Sequence, residues 1–533
     1  MPPQSDPSFA PPAVRDIGPL KALSIGIGGI VGGGFFATFG LAVVGARGST
    51  FLSFLLGGLV ALLTAYSYVG LTRRYPDPAG TAGFVRRAFG LSLLPASVNV
   101  LLVYSYICVM AVYAHALGAY AASYFPAPER PFLTQVLASA AILLLGLINY
   151  AGAALMAKFE GVFNLGKLAA LVLFIGAGLL LGSPDWSRLG MDNWESAPRI
   201  VSSGMMAFLA YEGFELISNA SPHVRDPART LPIAYYGSVG AAIVLYVLAI
   251  VVAIGHMPFA EMAEARNFAL SATAERFLGP FGFALMTVAA VLASASAINA
   301  DFFGASQLPA VLAEHGEAPL GFARFVAGRP LVSMVFVGAV ALFAINMIDL
   351  AALSAATSGG FLLVFAAVNV ANMRLSHETG GRKWVSLLGA AVCVVALGVT
   401  LYDFAIVPAM RLSAAAVVAI LLLAVASEQA FRLLLPKQAA GRGGGAATAA
   451  VAVAAVALAA LWPAQPGQQA QPPQPPAPAP QTQEAAAPAP RDQSLPAPVS
   501  AAEPAPSPAP AAVTQPAAPE PVKPRRKRHR SAR

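Results

Sequence analysis

Charge is scarce in this chain: Asp, Glu, Lys and Arg make up 11% of its 533 residues, against 57% for the hydrophobic types. A soluble globular domain carries about 25% charged residues. That class is therefore excluded, and a chain that crosses a membrane many times is expected. Cysteine is scarce too. Cys108 and Cys393 both fall in apolar runs, which argues against a disulfide framework or a thiolate metal site and leaves the redox compartment open. The 6 histidines show no H-E-x-x-H or other ligand spacing, so neither a metal nor a cofactor is expected. The runs GGIVGGG and GRGGG lack the Lys-Ser/Thr of a phosphate loop and the strand that should precede one. With no nucleophile motif and no paired general acid and base, an enzyme is not expected. The N-terminus lacks the basic region, short apolar core and small-residue cleavage site of a signal peptide, so the first span should be retained.

What the chain has is apolar runs of the length that crosses ~30 Å of hydrocarbon. They recur near 20 to 44, 49 to 71, 96 to 123, 132 to 150, 160 to 182, 201 to 220, 233 to 255, 281 to 310, 331 to 347, 350 to 373, 384 to 402 and 412 to 435, which makes twelve. With the N-terminus inside, the inner segments carry 17 Lys and Arg and the outer ones 7, an asymmetry that sets the orientation. The formal charge of +8 thus reflects membrane topology, and no nucleic acid partner is expected. The reading is an all-α, multi-pass protein of the plasma (inner) membrane, with both ends of its twelve-helix body in the cytoplasm and lipid as its surroundings.

Two of these spans are interrupted. Ser24 to Gly40, SIGIGGIVGGGFFATFG, carries seven glycines, each costing a helix up to about 1 kcal/mol. A break near its middle is expected. In a membrane, unpaired backbone is tolerated only inside protein or beside a water-filled cavity, so a break at this depth marks a site. Broken ends offer N–H groups to an anion and carbonyls to a cation, and a free amino acid carries one of each. In the sixth span, MMAFLAYEGFELISNA, Glu212 and Glu215 flank Gly213. Interruptions at spans one and six are what an inverted five-helix repeat produces. Beyond Gly441 the composition changes. Residues 446 to 462 form an Ala-dominated apolar run that could be a thirteenth helix. From 463 to 533 the chain is rich in Pro, Ala and Gln and should be disordered. It ends in KPRRKRHRSAR, which could bind anionic lipid or an envelope polymer, or simply be solvated; no partner for this tail is identified.

These stretches resemble a known family. GIGGIVGGGFF is similar to the G-I-G-x-I-I-G-x-G-I-F signature of the amino acid–polyamine–organocation (APC) permeases. RRYPDPAGTAGFVRRAFG resembles the loop after span two, and FLAYEGFE with VRDPARTLPIA resembles span six and its cytoplasmic exit. NADFFGASQLPAVLAEHGEAPLGFAR resembles the end of span eight, and GGFLLVFAAVNVANMRL resembles span ten. The resemblance covers residues 18 to 436, leaving 1 to 17 as a cytoplasmic segment, 437 to 462 as an Ala/Gly-rich segment and 463 to 533 as the tail. It implies a LeuT-like fold of two inverted five-helix repeats plus two helices, working by alternating access. It places the substrate carboxylate on the amides of Gly32, Gly33 and Gly34, and the ammonium on the carbonyls of Ile30, Leu209, Ala210 and Glu212. The chain departs from the pattern at Leu209, where the family often has an aromatic gate, although Phe208 is adjacent. It departs again at Pro222 and His223, which replace an acidic pair, and at Gln307, where Arg is common.

Of the intramembrane charges, Lys167 lies too far along its helix from Lys158 to snorkel comfortably. A bare ammonium there must be paired or shifted in pKa. The resemblance implies that it stands beside the broken first span in place of sodium, as a candidate carrier of a coupled proton; the bland reading is a structural lysine. Glu215 matches the acid of the family's G-F-[DE] pattern, so Glu212 and Glu215 read equally as a proton relay or as a structural pair. Asp301 is unusual for the pattern and either pairs with a cation or reflects a register shift. His115 and His256 read as packed or interfacial. The expected function is secondary active transport of an amino acid, by proton-coupled symport or by exchange. The alternatives are a polyamine or organic cation carrier, for which extra cavity carboxylates are expected, and a transporter-fold sensor or scaffold acting through its tail.

Overall fold

The computed structural model describes residues 15–439 apart from 78 and 327, with side chains described outside 153–162 and 434–439. The segments expected to form a thirteenth helix and a disordered tail with a basic end lie outside the described residues, as does most of the N-terminal segment. Among the described residues the fold is helical, with isolated bridges and no strand. The helices in chain order are α1 (Pro19–Ile30), α2 (Gly33–Ala46), α3 (Thr50–Arg74), α4 (Gly80–Phe89), α5 (Leu93–Ala122), α6 (Arg130–Ala151), α7 (Ala153–Leu180), α8 (Ala197–Met206) and α9 (Leu216–Asn219). They continue as α10 (Pro227–His256), α11 (Phe259–Glu264), α12 (Ala269–Glu314), α13 (Leu331–Met347), α14 (Leu350–Arg374), α15 (Ser376–Thr379), α16 (Lys383–Ile406) and α17 (Arg411–Ala439).

Among the described residues, 9 helices are long and apolar enough to cross a bilayer, and counting each of two bent pairs as one span gives 11. The bent pairs are α1 with α2, at 44°, and α8 with Phe208–Asn219, at 51°, so both expected interruptions are real. The run expected as a ninth span is a helix, α13, but its 17 residues fall short of the ~20 that span hydrocarbon untilted. The expected twelve is reached only by including it. The eighth run, expected from residue 281, is preceded by a further helical segment from Ala269, set off by Gly279 at φ 62° with Pro280 after it. Proline cannot donate into the ladder and Gly tolerates the positive φ, so the chain turns there.

Helices α5 and α14 form the interior, 78% and 83% buried over their most apolar stretches, whereas α6 and α17 are only 28% buried. The outer helices present Leu143, Leu144, Leu147, Val394, Val395 and Leu422 outward, an apolar surface that suits lipid. The broken spans lie among α3, α5, α10, α12 and α14, antiparallel to one another and tied at both ends. At one end Ile17 N–H donates to His223 O (3.1 Å) and Arg225 N–H to Ile17 O (2.9 Å). At the other, Gly48 N–H donates to Asn193 O (3.1 Å) and Arg47 pairs with Glu195 (3.4 Å).

Polar contacts at the helix ends fix neighbouring spans. Ser202 donates to the buried Asp403 of α16 at 2.5 Å, and Arg199 stands 3.6 Å from the same carboxylate. Removing that carboxylate leaves a buried hydroxyl and a guanidinium without their acceptor. Asp403→Ala should therefore cost about 2 kcal/mol, seen as a lower melting temperature in detergent, and Arg199→Ala less because Arg199 is partly solvated.

At the opposite end Tyr75 donates to Glu378 at 2.6 Å, while Arg87 stacks on the Tyr75 ring and Arg74 lies 3.9 Å from the carboxylate. The Tyr75 hydrogen bond, helped by His377, Arg74 and Arg87 against some loss of hydration, holds Glu378 below the usual carboxylate range. A lowered folded pKa contributes stability that is present above the unfolded value of about 4.3. That stability is lost as pH falls through the folded value. Melting curves of wild type and Tyr75→Phe should differ at neutral pH and converge in acid.

Candidate functional site

The site is built from the two breaks. Val31 and Gly32 leave helical geometry (Val31 ψ 59°, Gly32 ψ −154°), and Gly33 restarts the helix as α2. The amides of Gly33 and Gly34 therefore belong to a first turn, which has no intrahelical acceptors. In the partner span, α8 ends at Met206 and Phe208–Tyr211 tighten to a 3-10 turn. Gly213 then takes φ 107°, which glycine alone adopts freely. The breaks touch. A Cβ on Gly213 would lie 2.4 Å from the Gly29 carbonyl carbon, and one on Gly29 2.7 Å from Gly213 O. Only two glycines permit this approach.

Lys167, from α7, is fully buried and its Nζ donates to Gly28 O at 2.9 Å. The amine thus sits on the broken first span, where the sequence placed it. Glu215 accepts from Gly213 N–H at 2.8 Å and from the Tyr106 hydroxyl at 3.3 Å, so it braces the second break from within. Glu212 is 3% exposed, and neither of its carboxyl oxygens has a hydrogen-bond partner among the described residues.

A cavity lies beside the breaks on the side of α1 and α9. Its walls include Gly28, Gly29 and Gly213 with the polar side chains Tyr106, Tyr113, Glu212, Glu215, Ser296 and Asp301. Asp301, 8% exposed on α12, has one carboxyl oxygen without a partner. It faces the cavity.

On the other side of the breaks the space is filled. Phe35 stacks on Tyr246 with ring centroids 4.3 Å apart, and Phe54 and Tyr211 pack edge-on against Tyr246 and tilted against each other. The Tyr246 hydroxyl lies 2.9 Å from Ile30 O and 3.1 Å from Ala210 O, sharing its proton between two of the carbonyls expected to meet an ammonium. The Leu209 N–H donates to the Ser358 hydroxyl at 3.3 Å, and the Leu209 carbonyl accepts from the Glu212 N–H at 3.2 Å. Gly34 packs against the backbone of Leu209 and Ala210, and Gly32 against Ala297. Of the expected substrate contacts, only Glu212 lines the cavity; Ile30, Gly32, Gly33, Gly34, Leu209 and Ala210 form the seam above it. The ring of Phe208, next to Leu209, packs edge-on against Phe365 of α14.

Tyr246, Tyr106 and Tyr113 were not singled out from the sequence. A signal existed for the first: Tyr246 is a lone hydroxyl in GAAIVLYVLAIVVAI, and a phenol at that depth needs a partner. Tyr106 and Tyr113 are seven apart, so they share a face of α5, but nothing local says what that face meets. At the end of α10 the His256 ring lies between two carbonyls, Nδ1 2.9 Å from Val252 O and Nε2 3.2 Å from Leu181 O.

The profile of the amino acid permease family matches residues 17–426. An uncharacterized protein of Methanocaldococcus jannaschii is 30% identical over 385 residues, which cover 72% of this chain and 87% of that protein. An inner membrane transport protein of Escherichia coli is 27% identical over 384 residues, 72% and 89% of the two chains. The methylthioribose transporter of Bacillus subtilis is 25% identical over 381 residues, 67% and 80% of the two chains.

Proposed function

The chain belongs to the amino acid permease family, and as such is a transporter and a multi-pass protein of the plasma membrane; from that premise we propose that it is a secondary active amino acid transporter working by alternating access. The transport unit runs from residue 18 to 436, as twelve helices in two inverted five-helix repeats plus two. The observation that carries the reading is the contact of two broken, antiparallel spans at Gly29 and Gly213 with Lys167 on the Gly28 carbonyl. In this reading the amides of Gly32, Gly33 and Gly34 take the substrate carboxylate. The carbonyls of Ile30, Leu209, Ala210 and Glu212 take its ammonium.

Two of those carbonyls share the Tyr246 proton, so the ammonium must displace that hydroxyl on binding. Cavity on the α1 side and packed aromatics on the α2 side correspond to a form closed to the outside, given the orientation that the Lys and Arg asymmetry sets. Lys167 supplies a fixed cation where a sodium-coupled carrier would hold its ion, and with Glu215 it carries the coupled proton. Proton-coupled symport and exchange of one amino acid for another both fit this machinery. One relative is named for methylthioribose, so family membership alone does not fix the substrate, and an organic cation carrier is the second reading, favoured by the carboxyls that face the cavity.

The test is uptake of a panel of labelled amino acids into proteoliposomes with and without an inward proton gradient. Gradient-stimulated uptake is the expected result. Uptake that ignores the gradient but requires internal amino acid assigns exchange. No uptake of any amino acid by folded protein overturns the reading and brings forward polyamines, then a sensor acting through its tail.

A further inference from the structure

The cavity beside the breaks is more acidic than recognition of a neutral amino acid requires. A backbone ammonium is satisfied by the carbonyls of the seam, which leaves Glu212, Glu215 and Asp301 for something else. Glu215 is accounted for, since Gly213 and Tyr106 donate to it. The other two are not. Both oxygens of Glu212 and one of Asp301 are buried without a hydrogen-bond donor, and among the described residues neither carboxyl forms an ion pair. Buried carboxyls left in this state cost several kcal/mol by order of magnitude unless a cation or a proton joins them. They come from different broken and unbroken elements, the second break and α12, and converge on one space. Tyr106 and Tyr113 stand in the same wall, and aromatic faces attract ammonium and guanidinium groups.

Resting on the amino acid reading above, we propose that the preferred substrates carry a second positive charge on the side chain, an ammonium or guanidinium that enters the cavity and is received by Asp301 and Glu212. The backbone end of the substrate meets the seam and the charged end reaches toward α12. The site discriminates by leaving Asp301 without a partner when a neutral side chain enters, because an unpaired buried charge weighs more than the loss of one contact. Glu212 serves twice, its carbonyl toward the α-ammonium and its carboxylate toward the side chain.

The test is competition for uptake in proteoliposomes, with lysine and ornithine set against norleucine, which has lysine's four side-chain carbons without the terminal ammonium, and against 1,5-diaminopentane, which has two amines and no carboxylate. In wild type, lysine should compete at least tenfold more strongly than norleucine. Asp301→Asn, which keeps the shape and removes the charge, should shrink that ratio to about unity, by weakening lysine and by strengthening norleucine, which no longer leaves a buried charge unpaired. Ligand-induced thermal shifts of the purified variants read the same preference if a variant does not transport. Equal competition by lysine and norleucine in wild type overturns the proposal while leaving amino acid transport standing. An unchanged lysine preference in Asp301→Asn overturns the assignment to Asp301. Competition by diaminopentane as strong as that by lysine keeps the side-chain cation and removes the amino acid reading on which it was built.

Discussion

Lys167→Ala is expected to reduce gradient-stimulated uptake to the background of empty liposomes, with substrate-induced thermal stabilisation retained. The Lys167 amine is fully buried and donates to Gly28 O, one residue before the glycine that touches the second broken span. Truncation to Ala removes the amine that donates to the Gly28 carbonyl, and no neighbouring residue on α7 can replace it, since the flanking Gly166 and Leu168 are apolar. In the proposed reading the substrate groups bind one turn away, at the seam, so binding should outlast coupling. The measurement is uptake against an imposed proton gradient, beside thermal shift. Uptake that remains gradient-stimulated in Lys167→Ala would assign the lysine to structure alone.

The second large effect is expected at Gly213. A Cβ at this position falls 2.4 Å from a backbone carbon of Gly29, and backbone cannot swing aside as a flexible side chain would. The residue also holds φ 107°, a region that costs a non-glycine roughly 1–3 kcal/mol. Overpacking adds about 1–3 kcal/mol more. Gly213→Ala should therefore lower stability by roughly 2–6 kcal/mol and abolish transport, because the broken spans must separate to admit the methyl group. Gly304→Ala on α12 is the control, since nothing lies within 4 Å of its Cβ position. It should leave melting temperature and uptake unchanged within error. The comparison isolates the close approach from the general effect of altering a membrane glycine.

Much of this was legible in the chain, for local reasons. Seven glycines in one apolar run cannot hold a straight helix, and a Gly between two glutamates at mid-membrane cannot either, so both breaks followed from backbone cost and from the absence of water in hydrocarbon. Lys167 declared itself by being a cation too deep to reach either surface. The parts that were not legible depend on contacts across long stretches of chain. That Tyr246 occupies the carbonyls of Ile30 and Ala210 joins three spans that are distant in sequence, and no periodicity carries that information. Phe208 looked like a replacement for an aromatic gate because it neighbours Leu209, but a one-residue shift on a 3-10 turn rotates a side chain by about a third of a revolution, here onto Phe365. That Asp301 lines the cavity beside the breaks was not legible either, because a 3.6-residue period fixes a face only relative to a known neighbour. The ninth run was delimited at 331 to 347, the bounds of α13, whereas the helical segment from Ala269 and the turn at Gly279 were missed because a search for long apolar runs does not register a less apolar segment in front of one.

The central claim is that substrate binds where the broken spans meet, in contact with the cavity. Ala297 tests it directly, since it lines the cavity and its methyl lies 3.1 Å from the position of a Cβ on Gly32. In a background with Cys108 and Cys393 replaced by Ser, Ala297→Cys is treated from the cytoplasmic side with a charged thiol reagent over a range of substrate concentrations. The account predicts that substrate slows modification at least fivefold, with a half-effect concentration equal to that for saturation of uptake. Saturable uptake with no change in the rate of modification would contradict it.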